Sequence, residues 1–199
     1  MNKPNFSEEE LISLLKSKQM FSEKVRLAIE QAKKSHKTQK RDDGSEYLTQ
    51  HIYPIVADLL SVTDLEDVII GALLHDVLED DPNADKEELK TVFGQHILEI
   101  VLPLTKKPED NTPGIAPKKK TEINKNMLKN LENAPPESKL IKLADRTNNI
   151  QSSRRESMKK EKYERYVKET KELFLPFAKK NNEYFYKKMQ KIISFHESL

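Results

Sequence analysis

The stretch of sequence that decides the fold reads VIIGALLHDVLEDD and covers residues 68–81. Its first half is the longest apolar run in the chain, and imidazole and carboxylate side chains follow it directly. Thr63 followed three residues later by Glu66 is a capping-box pattern, which predicts one helix from Leu65 to about Glu79. A membrane span takes ~20 apolar residues, so we expect a buried helix and no membrane partner.

The acidic end of this predicted helix favours a metal site. On a continuous helix, His75 and Glu79 share one face, and Asp76 and Asp80 share another. A buried helix that ends in several acidic or imidazole groups is costly to desolvate unless a cation compensates their charge. The non-functional alternative is a solvated acidic helix end that binds no ligand. The local pattern alone leaves both interpretations open.

Composition narrows the chemistry. The chain of 199 residues contains five histidines and no cysteine, which excludes disulfide scaffolds, thiolate zinc sites and cysteine nucleophiles. Any metal site must therefore consist of His, Asp and Glu. The formal net charge of +2 gives no reason to expect nucleic acid as a partner. The N-terminal sequence MNKPNFSEEE turns acidic where a signal peptide would be apolar, so a cytoplasmic location is expected.

The rest of the sequence predicts an all-α fold. Glycine is scarce, and apolar residues recur at intervals of three and four, which is typical of a helical bundle, here of about 8–10 helices. Ser7 with Glu10 forms a capping-box pattern, and Ser22 is expected to begin a second helix. From about Tyr47 the helical period continues despite Pro54.

The length favours one domain over residues 1–199. We expect its core at about residues 20–155, with amphipathic helices in residues 156–199 that pack on the core or on a partner subunit. Residues 105–120 hold three prolines and five lysines and are predicted to form a loop. The sequence does not indicate an oligomeric state.

Two further residues strengthen the metal interpretation. His51 lies on a separate predicted helix, and Asp145 lies in LIKLADR, where Leu140, Leu143 and Ala144 mark a buried face. A charge beside that face calls for the same compensation as the acidic end of the first helix. The order H, HD, D across three predicted helices is what favours a metal site over a solvated helix end.

That order resembles the HD superfamily, a helical fold of metal-dependent phosphohydrolases. Over about residues 20–155 the chain looks like the hydrolase domain of RelA/SpoT-type alarmone enzymes. With 199 residues it is similar to the small, stand-alone alarmone hydrolases. The motifs that carry the resemblance are RDDGSEY (41–47), HDVLED (75–80), the Phe93-Gly94 step, LTK (104–106) and KLADRTNN (142–149).

The resemblance implies a site and an activity. The activity is hydrolysis of the 3′-diphosphate of (p)ppGpp to pyrophosphate and GDP or GTP, with one Mn²⁺ as cofactor and a small nucleotide as partner. Glu79 and Asp80 match the acidic pair that positions or deprotonates the attacking water. The implied metal ligands are His51, His75, Asp76 and Asp145, and the implied substrate-binding residues are Arg41, Tyr47, Lys142, Arg146 and Asn149.

Three of these assignments have alternatives. Arg146 is equally compatible with a structural ion pair, and Lys142 is expected to face either phosphate or solvent. The lysines of residues 105–120 are candidates for phosphate contacts, although surface lysines more often only solubilise a protein.

Two departures from the family pattern affect the expected substrate. Tyr47 precedes His51 by four residues instead of three, with the proline displaced to Pro54, and Asn148 stands where the family more often has His. Two alternative functions therefore stay open. One is an HD phosphohydrolase acting on another phosphorylated nucleotide, such as NADPH or a nucleoside phosphate, and the other is a non-catalytic nucleotide-binding or partner-binding module.

Overall fold

A computed structural model describes residues 5–110, 114–153 and 158–198. Within these ranges the chain is helical, with an isolated antiparallel bridge between Lys40 and Glu46 and no strand, so the predicted all-α class is confirmed. The α-helices are α1 (Glu8–Ser17), α2 (Glu23–Ser35), α3 (Tyr53–Leu59), α4 (Glu66–Leu74), α5 (Val77–Asp80), α6 (Lys86–Phe93), α7 (Gln95–Val101), α8 (Pro117–Leu131), α9 (Pro136–Ser152), α10 (Lys160–Glu169), α11 (Leu175–Asn181) and α12 (Glu183–Glu197).

The first two helices begin where their capping residues predict. The Ser7 hydroxyl accepts a hydrogen bond from the Glu10 amide (3.2 Å), and the Glu10 carboxylate accepts one from the Ser7 amide (2.7 Å). The Ser22 hydroxyl accepts from the Val25 amide at the start of α2. These reciprocal bonds satisfy amide groups that have no partner inside the helix.

Helix α4 is the centre of the core. Its residues from Val68 to Leu74 are all buried, and it packs on α2, α3, α7 and α9. A Cβ atom at Gly71 would lie 2.8 Å from Cγ2 of Ile100 and 2.9 Å from Cδ1 of Ile141. Glycine therefore permits the close approach of α4 to α7 and α9, and this approach sets the position of the residues at the end of α4.

The predicted single helix from Leu65 to Glu79 is wrong. Helix α4 ends at Leu74 and α5 begins at Val77, so the chain turns at His75 and Asp76. The His75 ring bonds to the Ala72 carbonyl (2.8 Å), an acceptor that a continuous helix would use for its own backbone ladder. His75 and Glu79 therefore do not belong to one continuous helix, whereas the Asp80 amide still donates to the Asp76 carbonyl (2.9 Å), so Asp76 and Asp80 remain one helical turn apart.

The predicted capping box at the start of the same helix is also absent. The Thr63 hydroxyl accepts from the Leu65 amide (3.1 Å), and the N-cap residue Leu65 makes no side-chain capping bond. The threonine thus closes a local turn before α4 instead of capping the helix.

A π-helical turn precedes α3 and carries His51. The turn covers Leu48–Ile52, and Pro54 lies in the first turn of α3. Proline has no amide hydrogen to complete the bond to the carbonyl four residues back, so the α-helical pattern is interrupted here. The expected helix past Pro54 is therefore present in two geometries, and the π turn determines where the His51 ring points.

The second half of the chain packs around α9. Residues 102–104 and 108–110 form 3₁₀ turns, and α8 begins at Pro117, earlier than the predicted loop ends. Residues 111–113 of that predicted loop lie outside the described residues. Helices α11 and α12 contact α9, and no helix in the described ranges is both long and apolar enough to cross a membrane.

Candidate active site

Two histidines and an aspartate form a compact cluster at the junction of α4 and the π turn. One potential ligand atom from each of His51, His75 and Asp76 lies within 4.8 Å of the other two. Oδ2 of Asp76 is 3.4 Å from Nε2 of His51 and 3.1 Å from Nε2 of His75. Both imidazoles are buried, with 2% and 3% of the residue surface exposed. The structure therefore brings three of the four residues predicted as metal ligands into one group.

Asp145, the fourth predicted ligand, borders this cluster from α9. Its Oδ1 atom is 3.6 Å from Nε2 of His51. The Asn149 amide donates to the same oxygen (2.5 Å), and the Lys142 ammonium is 2.8 Å from Oδ2. The carboxylate is thus held on two sides, with one edge turned toward His51.

The hydrogen bonds of the two imidazoles indicate which nitrogen bears the proton. Nδ1 of His75 lies 2.8 Å from the Ala72 carbonyl, and Nδ1 of His51 lies 2.8 Å from Oδ1 of Asn148. A carbonyl oxygen only accepts, so each Nδ1 donates and each Nε2 carries a lone pair in the neutral ring. Both lone pairs then face the same carboxylate.

The donor set fits a divalent cation. Nε2 of His75 is buried and makes no well-aligned hydrogen bond within the described ranges, although Oδ2 of Asp76 lies 3.1 Å away. Two imidazole nitrogens with neighbouring carboxylates suit a hard or borderline divalent ion, and a hydrogen bond from the opposite ring nitrogen is the usual support of a histidine ligand. Without a metal, the raised pKa of His75 keeps a proton on Nε2 toward Asp76, and a bound cation would take the place of that proton.

Electrostatics within the cluster keep its carboxylates ionised. Burial disfavours their charge, but the two imidazoles hold the pKa of Asp76 well below its usual value. Burial likewise opposes ionisation of Asp145, and Lys142 together with the imidazoles still lowers its pKa to about 2. Burial lowers the pKa of His51, whereas Asp76 overcomes burial and raises the pKa of His75 to about 9.

Glu79 and Asp80, the predicted catalytic pair, have different surroundings. Glu79 accepts from the Lys106 ammonium (2.6 Å) and from the Lys106 backbone amide (3.2 Å). Asp80 accepts from the neutral amide of Gln39 (2.9 Å), and burial together with the charge of Asp76 raises the pKa of Asp80. The side-chain oxygen Oε1 of Gln39 is in turn 2.5 Å from Nδ1 of His36. One carboxylate is thus neutralised by a lysine, and the other is oriented by an amide.

A cavity of about 480 Å³ opens over these residues. Among the cations that line it are the predicted Arg41 and Lys142, and Lys106 and Lys120 from the predicted loop. All five residues predicted to bind substrate line this cavity, namely Arg41, Tyr47, Lys142, Arg146 and Asn149.

Four of those five side chains already contact protein groups of the site, since Lys142 also pairs with Asp145. Arg41 donates to Oδ1 of Asn149 (2.9 Å). The amide nitrogen of Asn149 in turn donates to Oδ1 of Asp145. The Tyr47 hydroxyl donates to Oδ2 of Asp76 (2.5 Å). These contacts connect the predicted substrate residues to the acidic cluster, and their contact with substrate stays a prediction.

Arg146 is directed toward the C-terminal helices. Its guanidinium donates to the Thr170 hydroxyl and to the Tyr166 carbonyl, both at 2.8 Å, and lies 3.4 Å from the Glu169 carboxylate. Its centre is 4.4 Å from the centroid of the Phe174 ring. The structural alternative for Arg146 therefore has named partners, and its contact with substrate stays a prediction.

Several residues of the site were not singled out by the sequence. His36 matches none of the sequence motifs, yet it bonds to the Gln39 side chain that donates to Asp80. The C-terminal aromatic stripe was expected to complete the core or a subunit contact, but Tyr166 lines the cavity together with Lys162 and Arg165. Amphipathic spacing does not distinguish a core-facing ring from one that borders a cavity.

Comparisons with known proteins agree with this geometry. A sequence model described as the HD domain matches residues 28–182, more than half of the chain. The chain belongs to the HD-domain family. The predicted family is thereby confirmed.

Curated relatives of this HD-domain chain include much longer proteins. This chain is 32% identical over 171 residues to a guanosine-3′,5′-bis(diphosphate) 3′-pyrophosphohydrolase of Aquifex aeolicus. That match covers 86% of this chain and 23% of the Aquifex protein. It is 31% identical over 158 residues to the bifunctional (p)ppGpp synthase/hydrolase SpoT of Escherichia coli K12. That match covers 78% of this chain and 21% of SpoT. The chain thus spans less than a quarter of the length of these relatives.

A solved structure shares the fold over its whole length. It belongs to a metazoan SpoT ortholog that is described as hydrolysing ppGpp and having a role in starvation responses. The TM-score is 0.74 at 23% identity, with 90% of this chain and 98% of that chain covered. At this identity the match supports the HD fold of the chain.

Proposed function

We propose that this HD-domain protein is a metal-dependent phosphohydrolase that removes the 3′-diphosphate of ppGpp and pppGpp, releasing pyrophosphate and GDP or GTP. The observation that carries the proposal is the cluster of His51, His75 and Asp76, of which His51 and Asp76 line a cavity that is also lined by lysine and arginine side chains. The activities for which the relatives in Aquifex and Escherichia are named support this choice of substrate. A cytoplasmic location, expected from the N-terminal sequence, is part of the same proposal.

The metal would be held by the two Nε2 atoms and by the carboxylates of Asp76 and Asp145. A bound divalent ion polarises a phosphoryl oxygen and makes water more acidic, which is the chemistry that a phosphate ester requires. Mn²⁺ is the proposed ion because a mixed imidazole and carboxylate set suits a cation of intermediate hardness.

Asp80 is the proposed proton acceptor. Its carboxylate borders the cavity and accepts from a neutral amide, so it keeps its negative charge available for a proton of the attacking water. Glu79 is already neutralised by Lys106 and is better suited to hold that lysine toward the substrate. The two carboxylates therefore divide the roles that the family resemblance assigns to the pair.

The cations of the cavity would bind the polyphosphate. Lys106 and Lys142 each lie beside a carboxylate of the site, and Arg41 lines the same cavity next to Asn149. Fixed positive charges at these positions would offset the negative charge that develops on the phosphoryl oxygens. Such a site prefers a substrate with several adjacent phosphates over a monophosphate.

A substrate panel tests the proposal. The Mn²⁺-loaded chain is incubated separately with ppGpp, pppGpp, NADPH and GTP, and the products are separated by anion-exchange chromatography. We expect the highest kcat/KM for the two alarmones. Turnover of NADPH or GTP with the alarmones left intact would overturn the substrate assignment, and binding without any turnover would overturn the enzymatic assignment.

A further inference from the structure

The two departures from the family pattern meet behind His51. Pro54 follows the π turn that carries His51, and Asn148 lies on α9, one turn after Asp145. Both act on one backbone group, the carbonyl of Gln50. Proline at position 54 has no amide hydrogen to donate to that carbonyl, which is four residues earlier. The Asn148 amide nitrogen donates to it instead, at 3.3 Å.

This bond fixes the orientation of the Asn148 side chain. Asn148 is buried, with 5% of its surface exposed. If the amide were rotated by half a turn, its oxygen would face the Gln50 carbonyl oxygen, and neither atom could donate. Oδ1 of Asn148 is therefore the atom that faces Nδ1 of His51, at 2.8 Å.

An amide oxygen only accepts a hydrogen bond, so it determines the tautomer of His51. The proton must lie on Nδ1, and Nε2 presents a lone pair toward Asp76 and Asp145, 3.4 and 3.6 Å away. His75 has the same tautomer, but a backbone carbonyl sets it there. His51 is therefore the ligand candidate whose tautomer depends on a side chain.

We propose that Asn148 is a positioning residue that holds His51 in the Nδ1–H tautomer, so that Nε2 is available to a divalent cation. A histidine at position 148 could either donate to or accept from His51, depending on its own tautomer, whereas the fixed amide can only accept. The proposal rests on the metal site of the proposed function but not on the identity of the substrate.

Metal affinity of three variants tests the proposal. Asn148→Leu keeps the approximate volume but removes the acceptor, and Asn148→Asp keeps an oxygen toward His51. Gln151→Leu is the matched control, because Gln151 lies on the same helix and lines the same small cleft of about 240 Å³ as Asn148. Free Mn²⁺ is measured by electron paramagnetic resonance during titration, and folding is checked by thermal unfolding.

Asn148→Leu is expected to weaken Mn²⁺ affinity by ~10–100-fold, the usual effect of losing the hydrogen-bond partner of a histidine ligand. Asn148→Asp is expected to bind several-fold more tightly than Asn148→Leu, and Gln151→Leu to bind like the wild type. Wild-type affinity in a folded Asn148→Leu variant would overturn the proposal. An equal loss in Asn148→Leu and Gln151→Leu would overturn it as well, because the effect would then be a general disturbance of α9.

A second measurement needs no variant. In the Zn²⁺-loaded wild-type chain, which is diamagnetic, nitrogen NMR of the histidine rings identifies the nitrogen that bears the proton. We expect His51 to carry it on Nδ1, and a proton on Nε2 with the metal on Nδ1 would overturn the proposal even if Asn148→Leu does not fold. A chain that shows the expected tautomer and binds Mn²⁺ but leaves ppGpp intact would refute the proposed function and leave the role of Asn148 standing.

Discussion

Asp76 is the residue on which the site converges. Its Oδ2 atom accepts from the Tyr47 hydroxyl and lies within 3.4 Å of the Nε2 atoms of His51 and His75. Burial and the charge of Asp76 together raise the pKa of Asp80, which follows four residues later. One carboxylate thus orders the proposed metal ligands and also affects the proposed base.

Removal of the Tyr47 hydroxyl distinguishes a role in supporting the proposed metal ligand Asp76 from a role in binding substrate. Because the hydroxyl donates to Asp76 at 2.5 Å, Tyr47→Phe is expected to reduce Mn²⁺ affinity by ~10–100-fold, as the loss of outer hydrogen bonds to a metal ligand does. The ring still packs on His36 and His51, so thermal unfolding should change little. A raised KM for ppGpp with unchanged Mn²⁺ affinity would instead assign Tyr47 to the substrate, as the family resemblance implies.

The two neighbouring carboxylates should respond differently to neutralisation. Asp80→Asn removes the proposed proton acceptor and is expected to lower kcat by ~10²–10⁴-fold, the range of general base catalysis, with KM nearly unchanged. Glu79→Gln frees Lys106 from its ion pair and should act mainly on KM, because the lysine is no longer held toward the phosphates. Steady-state kinetics of both variants on ppGpp test this, and the reverse pattern would exchange their roles.

At the scale of the element, helix α4 has to approach its neighbours closely. Alanine is favoured over glycine in a helix by ~1 kcal/mol, but inserting a methyl group into a filled core costs ~1–3 kcal/mol. The expected contacts of 2.8 and 2.9 Å lie below the normal separation of carbon atoms, so the second effect should exceed the first. We expect Gly71→Ala to lower the free energy of unfolding by up to ~2 kcal/mol.

A double variant provides the control for Gly71→Ala. Ile141→Val removes the Cδ1 atom that the new methyl group would meet. The destabilisation by Gly71→Ala should therefore be smaller in the Ile141→Val background than in the wild type. Urea unfolding measures all four chains, and equal effects in the two backgrounds would show that the close approach of α4 and α9 does not limit this position.

The elements also show which features the sequence can predict. Local signals sufficed for the starts of α1 and α2, because Ser7 and Ser22 bond within their own first turns. The turn at His75 was not predictable from spacing, since it depends on a bond from a buried ring to the Ala72 carbonyl. The π turn before Pro54 likewise depends on packing, because a proline in a helical pattern permits several outcomes.

At the scale of the whole molecule, Glu169 joins three helices that form one side of the cavity. This buried carboxylate accepts from Thr121 (2.7 Å) and Asn124 (2.9 Å) on α8, and it pairs with Arg165 on α10 (3.0 Å) and Arg146 on α9 (3.4 Å). Its charge therefore sets the spacing of the cavity wall formed by these helices.

Loss of that carboxylate should affect both stability and binding. Glu169→Ala leaves the buried Arg146 without its ion-pair partner, a change that typically costs ~3–5 kcal/mol, whereas Glu169→Gln keeps some hydrogen bonds and should cost less. Both variants are expected to raise the KM for ppGpp because the wall loosens. Urea unfolding and steady-state kinetics test this, and unchanged stability in Glu169→Ala would contradict the role of Glu169 in joining the helices.

The assembly of the site could be predicted only in part. The order of histidines and aspartates indicated that His51, His75 and Asp145 come together, although they lie on separate elements, and the structure brings them together. The contribution of α10 could not be predicted. Its amphipathic spacing is that of a core helix, yet Tyr166 lines the cavity, and α10 packs against α8.

The most direct test of the central claim is the stoichiometry of products from ppGpp. The Mn²⁺-loaded chain should release one pyrophosphate for each GDP, and Asp76→Asn should lose both Mn²⁺ binding and turnover by more than the ~100-fold that an outer-shell change produces. Release of orthophosphate in place of pyrophosphate, or turnover that persists in Asp76→Asn, would contradict a metal-dependent 3′-pyrophosphohydrolase built on this cluster.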